Sequence, residues 1–210
     1  LTGLFVTFEG GEGSGKSTQI ARLADSLKAD GRQVVVTREP GGTTGADILR
    51  EVVLAGGAKR FGNDAEAALF AAARADHMEC VILPALAAGH DVLCDRFVDS
   101  TRVYQGRPDN AAYLAALERA ALAGRMPDLT FILDVPAEVG LKRAAGRRGT
   151  GGADRFEAEE ASLHEARRLA FLTIAAQEPE RCIIVDATGP VDEIAQAILD
   201  HVRVRAAAEA

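Results

Sequence analysis

Residues 5–27, FVTFEGGEGSGKSTQIARLADSL, join a short apolar run to a helical pattern through a loop dense in glycine. That junction restricts the fold more than any other feature of the chain. Gly10, four intervening residues and then Gly15-Lys16-Ser17 have the spacing of a phosphate loop, placed after a strand and at the opening of a helix. The glycines permit backbone angles that aim successive N–H groups at one anion, and the helix N-terminus adds its positive dipole. Gly10, Gly11, Glu12, Gly13, Ser14 and Gly15 make up the loop, which closes on Lys16, Ser17 and Thr18. Lys16 is placed to reach the β- and γ-phosphates of a nucleoside triphosphate, and Ser17 to offer its hydroxyl to Mg2+. Such a loop holds phosphates without saying what receives one.

Beyond the loop, short apolar runs alternate with longer helical patterns. Runs at 4–9, 33–39, 91–95, 128–135 and 181–187 read as buried strands. Patterns at about 16–30, 45–55, 64–89, 110–123, 137–146, 155–177 and 190–205 read as helices. The alternation predicts an α/β fold, a five-stranded parallel sheet with helices on both faces, in one domain over 1–210. Pro84 is expected to end or kink the 64–89 helix, because it removes a backbone donor. GRRGTGGAD, 146–154, is the one island whose glycines and arginines cannot build a core.

A net charge of −7 opposes binding to a phosphate backbone, so no nucleic-acid partner is expected. Any anionic ligand then has to be held by local arginines. No apolar run approaches the roughly 18 residues of a membrane span, and no basic stretch with an apolar signal core precedes the first strand. Cys80, Cys94 and Cys182 lack metal-ligand spacing, which fits a reducing cytoplasm. A cytoplasmic protein with no membrane partner is expected.

Ligands of an open α/β sheet bind beyond the carboxyl ends of its strands. Those ends lead into the phosphate loop, TREPGGT (37–43), DRFVDSTRVYQG (95–106) and DATGP (186–190), and the fourth strand leads to a helix carrying Lys142 and Arg143. Taken together, FEGGEGSGKST, TREPGGT, FAAARADH, DRFVDSTRVYQG, PDLTFILDV and DRFE resemble bacterial thymidylate kinase, of the P-loop nucleoside monophosphate kinases, over nearly the whole chain. The DRxxxSxxYQG run and TREPGGT are far more specific than the phosphate loop.

The resemblance implies transfer of a phosphoryl group from ATP to dTMP with Mg2+, a mobile lid at about 143–156, and a homodimer through packed helices, with the alanine-rich 64–89 segment as the candidate interface. It gives Arg96 the dTMP 5′-phosphate, a role suited to a guanidinium that can donate two parallel hydrogen bonds. It gives Asp95 the hydrated Mg2+, Phe70 thymine stacking, and Arg74, one helical turn away, a bond to an exocyclic oxygen of the base. On the same resemblance Ser100 and Thr101 are expected at the pyrimidine edge, Tyr104 under the sugar where it excludes a ribose 2′-hydroxyl, Gln105 as a polar neighbour, Pro40 as a wall of the base pocket, and Glu12 near the sugar 3′-hydroxyl. Read from the residues alone, Arg96 also suits a surface pair with Asp99, Phe70 a core position, Asp95 a strand cap and Glu12 a solvent-facing loop.

Some members of that family carry an arginine inside the phosphate loop, where this chain has Gly13 and Ser14. Positive charge on the moving phosphoryl group must come from Arg143, Arg147, Arg148 and Arg155 around the flexible island, with Arg148 and Arg155 as the expected catalytic pair and Arg143 on ATP. No side chain need act as a strong base, because the acceptor phosphate is already a nucleophile near neutral pH. His164 stands where the family often has an aromatic and Phe171 where it often has Tyr; Thr188, Gly189 and Pro190 resemble the loop against adenine. Two other readings compete: a nucleoside monophosphate kinase with another acceptor such as dUMP, and a P-loop ATPase switch, which hydrolyses ATP without any monophosphate.

Overall fold

Alternation with period two along β1 (Phe5–Glu9) sends Val6 and Phe8 to one face of the sheet and Phe5, Thr7 and Glu9 to the other, all fully buried. The structure, a computed structural model, describes residues 3–148 and 160–208. All five expected strands form: β1, β2 (Val34–Arg38), β3 (Asp91–Asp95), β4 (Leu129–Asp134) and β5 (Cys182–Asp186). They pair in parallel in the order β2-β3-β1-β4-β5.

The apolar side of each helix decides which face it covers. Ile20, Leu23 and Leu27 of α1 (Lys16–Ala29) and Ile194, Ile198 and Val202 of α9 (Val191–Ala208) close over Val6, Phe8 and Phe131. Phe5, Val92 and Cys94 on the opposite face meet Met78, Ile82, Phe97 and Leu122. On that same face Phe171 and Ala175 of α8 (Ala161–Gln177) cover Ile132 and Cys182. Cys94 and Cys182 are buried and Cys80 is exposed. Since α1 follows β1 on one face and α5 (Val98–Gln105) follows β3 on the other, a crevice opens between the carboxyl ends of these adjacent strands.

Two details differ from the sequence reading. Helix α5 lies where only a strand-following loop was read; its residues, VDSTRVYQ, are polar or β-branched and weak helix formers. Residues 64–89 are not one regular helix: α3 (Asn63–His77) passes through a π turn, Met78–Ile82, into α4 (Leu83–Ala87). The wider turn, in which Leu83 N–H donates to Met78 O, accommodates a residue that lacks the N–H a regular helix needs, so the chain stays helical past the proline rather than ending there. After α7 (Ala137–Arg148), the lid segment expected at about 143–156 lies from 149 onward outside the described residues, as does Arg155. Helices α2 (Thr44–Leu54) and α6 (Ala111–Leu122) match their expected positions. Among the described residues no helix is long and apolar enough to cross a membrane.

Candidate active site

The crevice between β1 and β3 is a cavity of about 470 Å3. Glu12, Gly13, Gly15, Lys16, Ser17 and Thr18 form one end of it. Lys16 is buried, and its ammonium donates to the carbonyls of Gly10 (3.1 Å) and Gly11 (3.0 Å), with the Ser14 hydroxyl at 3.5 Å. Burial, followed by the charge of Arg96, lowers its pKa.

Glycine is needed where this loop meets α7. Gly13 has φ +70°, and a methyl group there would collide with the carbonyl of Gly140; a methyl on Gly140 would collide with the carbonyl of Glu12. The first turn of α7 is thereby pressed onto the phosphate loop with no side chain between them. Gly140→Ala is expected to move the loop, lowering turnover at least tenfold and stability by about 1–3 kcal/mol. Initial rates and thermal denaturation of the purified variant check both numbers.

Across the crevice, β3 ends on Asp95, whose Oδ2 accepts from the Ser17 hydroxyl at 2.8 Å. Odd positions of β3 face α1, which brings the strand-end carboxylate to the loop's serine. Two hard oxygen donors side by side suit Mg2+, which takes few protein ligands. Arg96 follows with φ +67°, a left-handed turn held by its N–H to Phe8 O (2.9 Å) and by the Cys94 thiol on its carbonyl (3.1 Å). The turn swings the guanidinium back over the loop. Its Nη2 donates to Glu12 Oε1 at 2.5 Å and its Nη1 to Ser100 Oγ at 3.2 Å. Asp99, the alternative partner for Arg96, is instead fully buried and paired with Arg181 at 2.8 Å and Arg102 at 3.1 Å. Burial pushes the Glu12 carboxyl up, but Arg96 and Lys16 outweigh it and hold its pKa at about 2. The acid among phosphate-binding groups is therefore an anion already matched by cations.

The far end is formed by Pro40, Phe70, Arg74, Thr101, Tyr104 and Gln105. Arg74 is buried: its Nε donates to Glu39 Oε2 (2.7 Å), and its Nη2 to Phe97 O (3.1 Å) and Thr101 Oγ1 (3.0 Å). Phe70 is half-buried on the cavity wall, one turn before Arg74, so it is not a core residue. Tyr104 lies between two guanidiniums, Arg96 at 5.2 Å and Arg167 at 4.2 Å from its ring centre. The Gln105 amide is turned to Glu66 Oε1 (3.0 Å). Arg143 does not line the cavity; it donates to Ala187 O (2.9 Å) and Thr188 O (3.3 Å), tying α7 to the loop after β5. Arg148 ends α7, and its side chain lies outside the described part of the structure.

Two acids beside this cavity were not among the expected site residues. Glu39 anchors Arg74 from the TREPGGT turn, and its Oε1 meets His77 Nδ1 at 3.1 Å. Glu9, the last residue of β1, is fully buried beneath α5. Both lie in motifs that carry the resemblance, FEGGEGSGKST and TREPGGT, but each reads as an acid closing an apolar strand run, and most such acids face water.

A family model for thymidylate kinase matches residues 8–198. A thymidylate kinase of Bradyrhizobium sp. (strain ORS 278) is 56% identical over 205 residues, 97% of this chain and 91% of the relative. One from Nitrobacter winogradskyi is 57% identical over 195 residues, 92% of this chain and 85% of the relative. One from Nitrobacter hamburgensis is 54% identical over 207 residues, 98% of this chain and 90% of the relative.

Proposed function

The chain belongs to the thymidylate kinase family, and on that premise we propose that it transfers the γ-phosphoryl group of ATP to dTMP, giving ADP and dTDP. The observation that carries this reading is the pairing, in one crevice, of a glycine loop and its lysine with an inward-turned arginine. A loop of backbone donors ends on Lys16, and the inward-turned Arg96 faces it across the Ser17–Asp95 pair. A P-loop switch has no use for the second site.

Transfer between two phosphates asks the protein mainly for alignment and positive charge. In the proposed sequence, the loop N–H groups and the α1 terminus take the ATP phosphates, and Lys16 leaves the Gly10 and Gly11 carbonyls to reach them. Arg96 holds the acceptor phosphate, and Phe70, Arg74 and Thr101 take the thymine, with Tyr104 beneath the sugar. Ser17 and Asp95 would hold Mg2+, which when bound neutralises charge on the β- and γ-phosphates. Glu12, now paired with Arg96, would meet the sugar 3′-hydroxyl once the nucleotide competes for that guanidinium. The lid arginines Arg148 and Arg155 complete the reading as the charges that close over the transferred group. It also includes a cytoplasmic homodimer, for which exposed Ile48 and Val52 of α2, packed beside α3, offer apolar surface.

The test is ADP release from ATP and Mg2+ against dTMP, dUMP, ribothymidine monophosphate, dCMP and AMP. Strong turnover with dTMP, weak turnover with dUMP and almost none with the ribose analogue is expected. Slow hydrolysis that ignores the acceptor would overturn the reading and favour the ATPase switch.

A further inference from the structure

Glu9 has no part in the reaction as described so far, yet it is fully buried between the phosphate loop and the acceptor end of the cavity. Its Oε1 accepts from the N–H groups of Phe97 (2.8 Å) and Ser100 (3.1 Å), the open donors at the start of α5. Its Oε2 accepts from the Ser100 hydroxyl at 2.6 Å. A serine hydroxyl carries one hydrogen, and here it is spent on Glu9. The oxygen can therefore only accept on its other side, where Arg96 Nη1 donates to it at 3.2 Å. Glu9 thus keeps the serine hydrogen turned away from the guanidinium, which can donate but not accept, and leaves Ser100 Oγ as its acceptor.

We propose that Glu9 is a positioning residue of the acceptor-phosphate site, acting through Ser100 to fix the orientation of Arg96; the proposal rests on the dTMP kinase reading above. Stability gives no reason for an acid at this point. Burial, followed by the charge of Asp99, pushes the Glu9 pKa up to about 7, against the opposing pull of Ser100, Arg96 and the Phe97 N–H. With its folded pKa raised from 4.5, Glu9 binds more proton in the folded than in the unfolded chain between those values. Stability therefore falls as pH rises from about 4.5 to about 7 and stays lower above that. An amide of the same shape escapes that penalty. It also presents an N–H where Oε2 stood, which donates to Ser100 and frees the serine hydrogen to turn toward Arg96, whose N–H groups cannot accept it.

Glu9→Gln, Ser100→Ala and the double variant are compared with the unaltered protein at pH 8 and pH 5. KM is measured for dTMP and ATP separately, alongside thermal melting. Expected for Glu9→Gln at pH 8 is a KM for dTMP raised about tenfold, an unchanged KM for ATP, and a Tm at or above that of the unaltered protein. Its relative Tm should be lower at pH 5. The double variant should be no worse than Ser100→Ala alone, because both changes cut one path. Parallel rises in both KM values, additive effects in the double variant, or a lower Tm at pH 8 with dTMP kinetics intact would overturn the proposal and leave Glu9 a structural cap. Failure of the unaltered protein to phosphorylate dTMP would overturn the kinase reading together with it.

Discussion

Replacing Arg96 with methionine is expected to lower kcat/KM for dTMP by about 10^3-fold or more, while ATP binding stays within about threefold. A guanidinium that donates two hydrogen bonds to a phosphate loses both at once, and charged hydrogen bonds contribute roughly 1.5–3 kcal/mol each. Their sum, about 4 kcal/mol, corresponds to about three powers of ten in rate. The fold should survive, because the backbone contacts that hold the left-handed turn come from the main-chain N–H and carbonyl of residue 96. Arg96→Lys should recover only part of the loss, since an ammonium cannot make the planar two-bond contact. A second consequence concerns Glu12, whose low pKa has Arg96 as its largest stabilising influence. In the methionine variant that carboxyl should titrate closer to the ordinary range, which NMR of a labelled glutamate would register. Steady-state kinetics with each substrate varied in turn checks the main effect; an equal loss toward ATP would mean that Arg96 serves the loop rather than the acceptor.

How much of this site was legible beforehand differs from residue to residue, for physical reasons. The phosphate loop announced itself because backbone donors need glycine at set positions, and composition records that need directly. The strands were legible because a sheet covered on both faces requires unbroken apolar runs. Their spatial order was not, since nothing in a run such as DVLCD says that it lies beside β1 rather than at the edge. Helix α5 was hidden for a related reason. Its own residues do not favour a helix, and its N-terminus is held by Glu9 from β1 and by the buried Asp99–Arg181 pair. Those partners lie 88, 91 and 82 positions away along the chain. Phe70 shows the converse: an aromatic on a helix reads as core from pattern alone, and only the family motif placed it on the cavity wall, where the structure also has it.

Arg74→Met should produce the largest loss of stability, about 3–5 kcal/mol, because it leaves the buried Glu39 carboxylate without its guanidinium. For a chain of this length that corresponds to a fall in Tm of roughly 10 °C. The same change removes the donor proposed for the pyrimidine, so a lower preference for dTMP would be ambiguous on its own. The two effects separate because the penalty belongs to the unpaired charge, whereas the proposed base recognition belongs to Arg74 itself. Adding Glu39→Gln to Arg74→Met removes that charge while keeping the Oε1 contact to His77, and most of the lost Tm should return. Acceptor preference should not return with it, because neither replacement restores a cation beside Thr101 and Phe97. Melting curves and the acceptor panel on both variants decide the matter. Recovery of dTMP preference along with stability would mean that the buried pair shapes the pocket without touching the base; recovery of Tm alone would assign the base contact to Arg74.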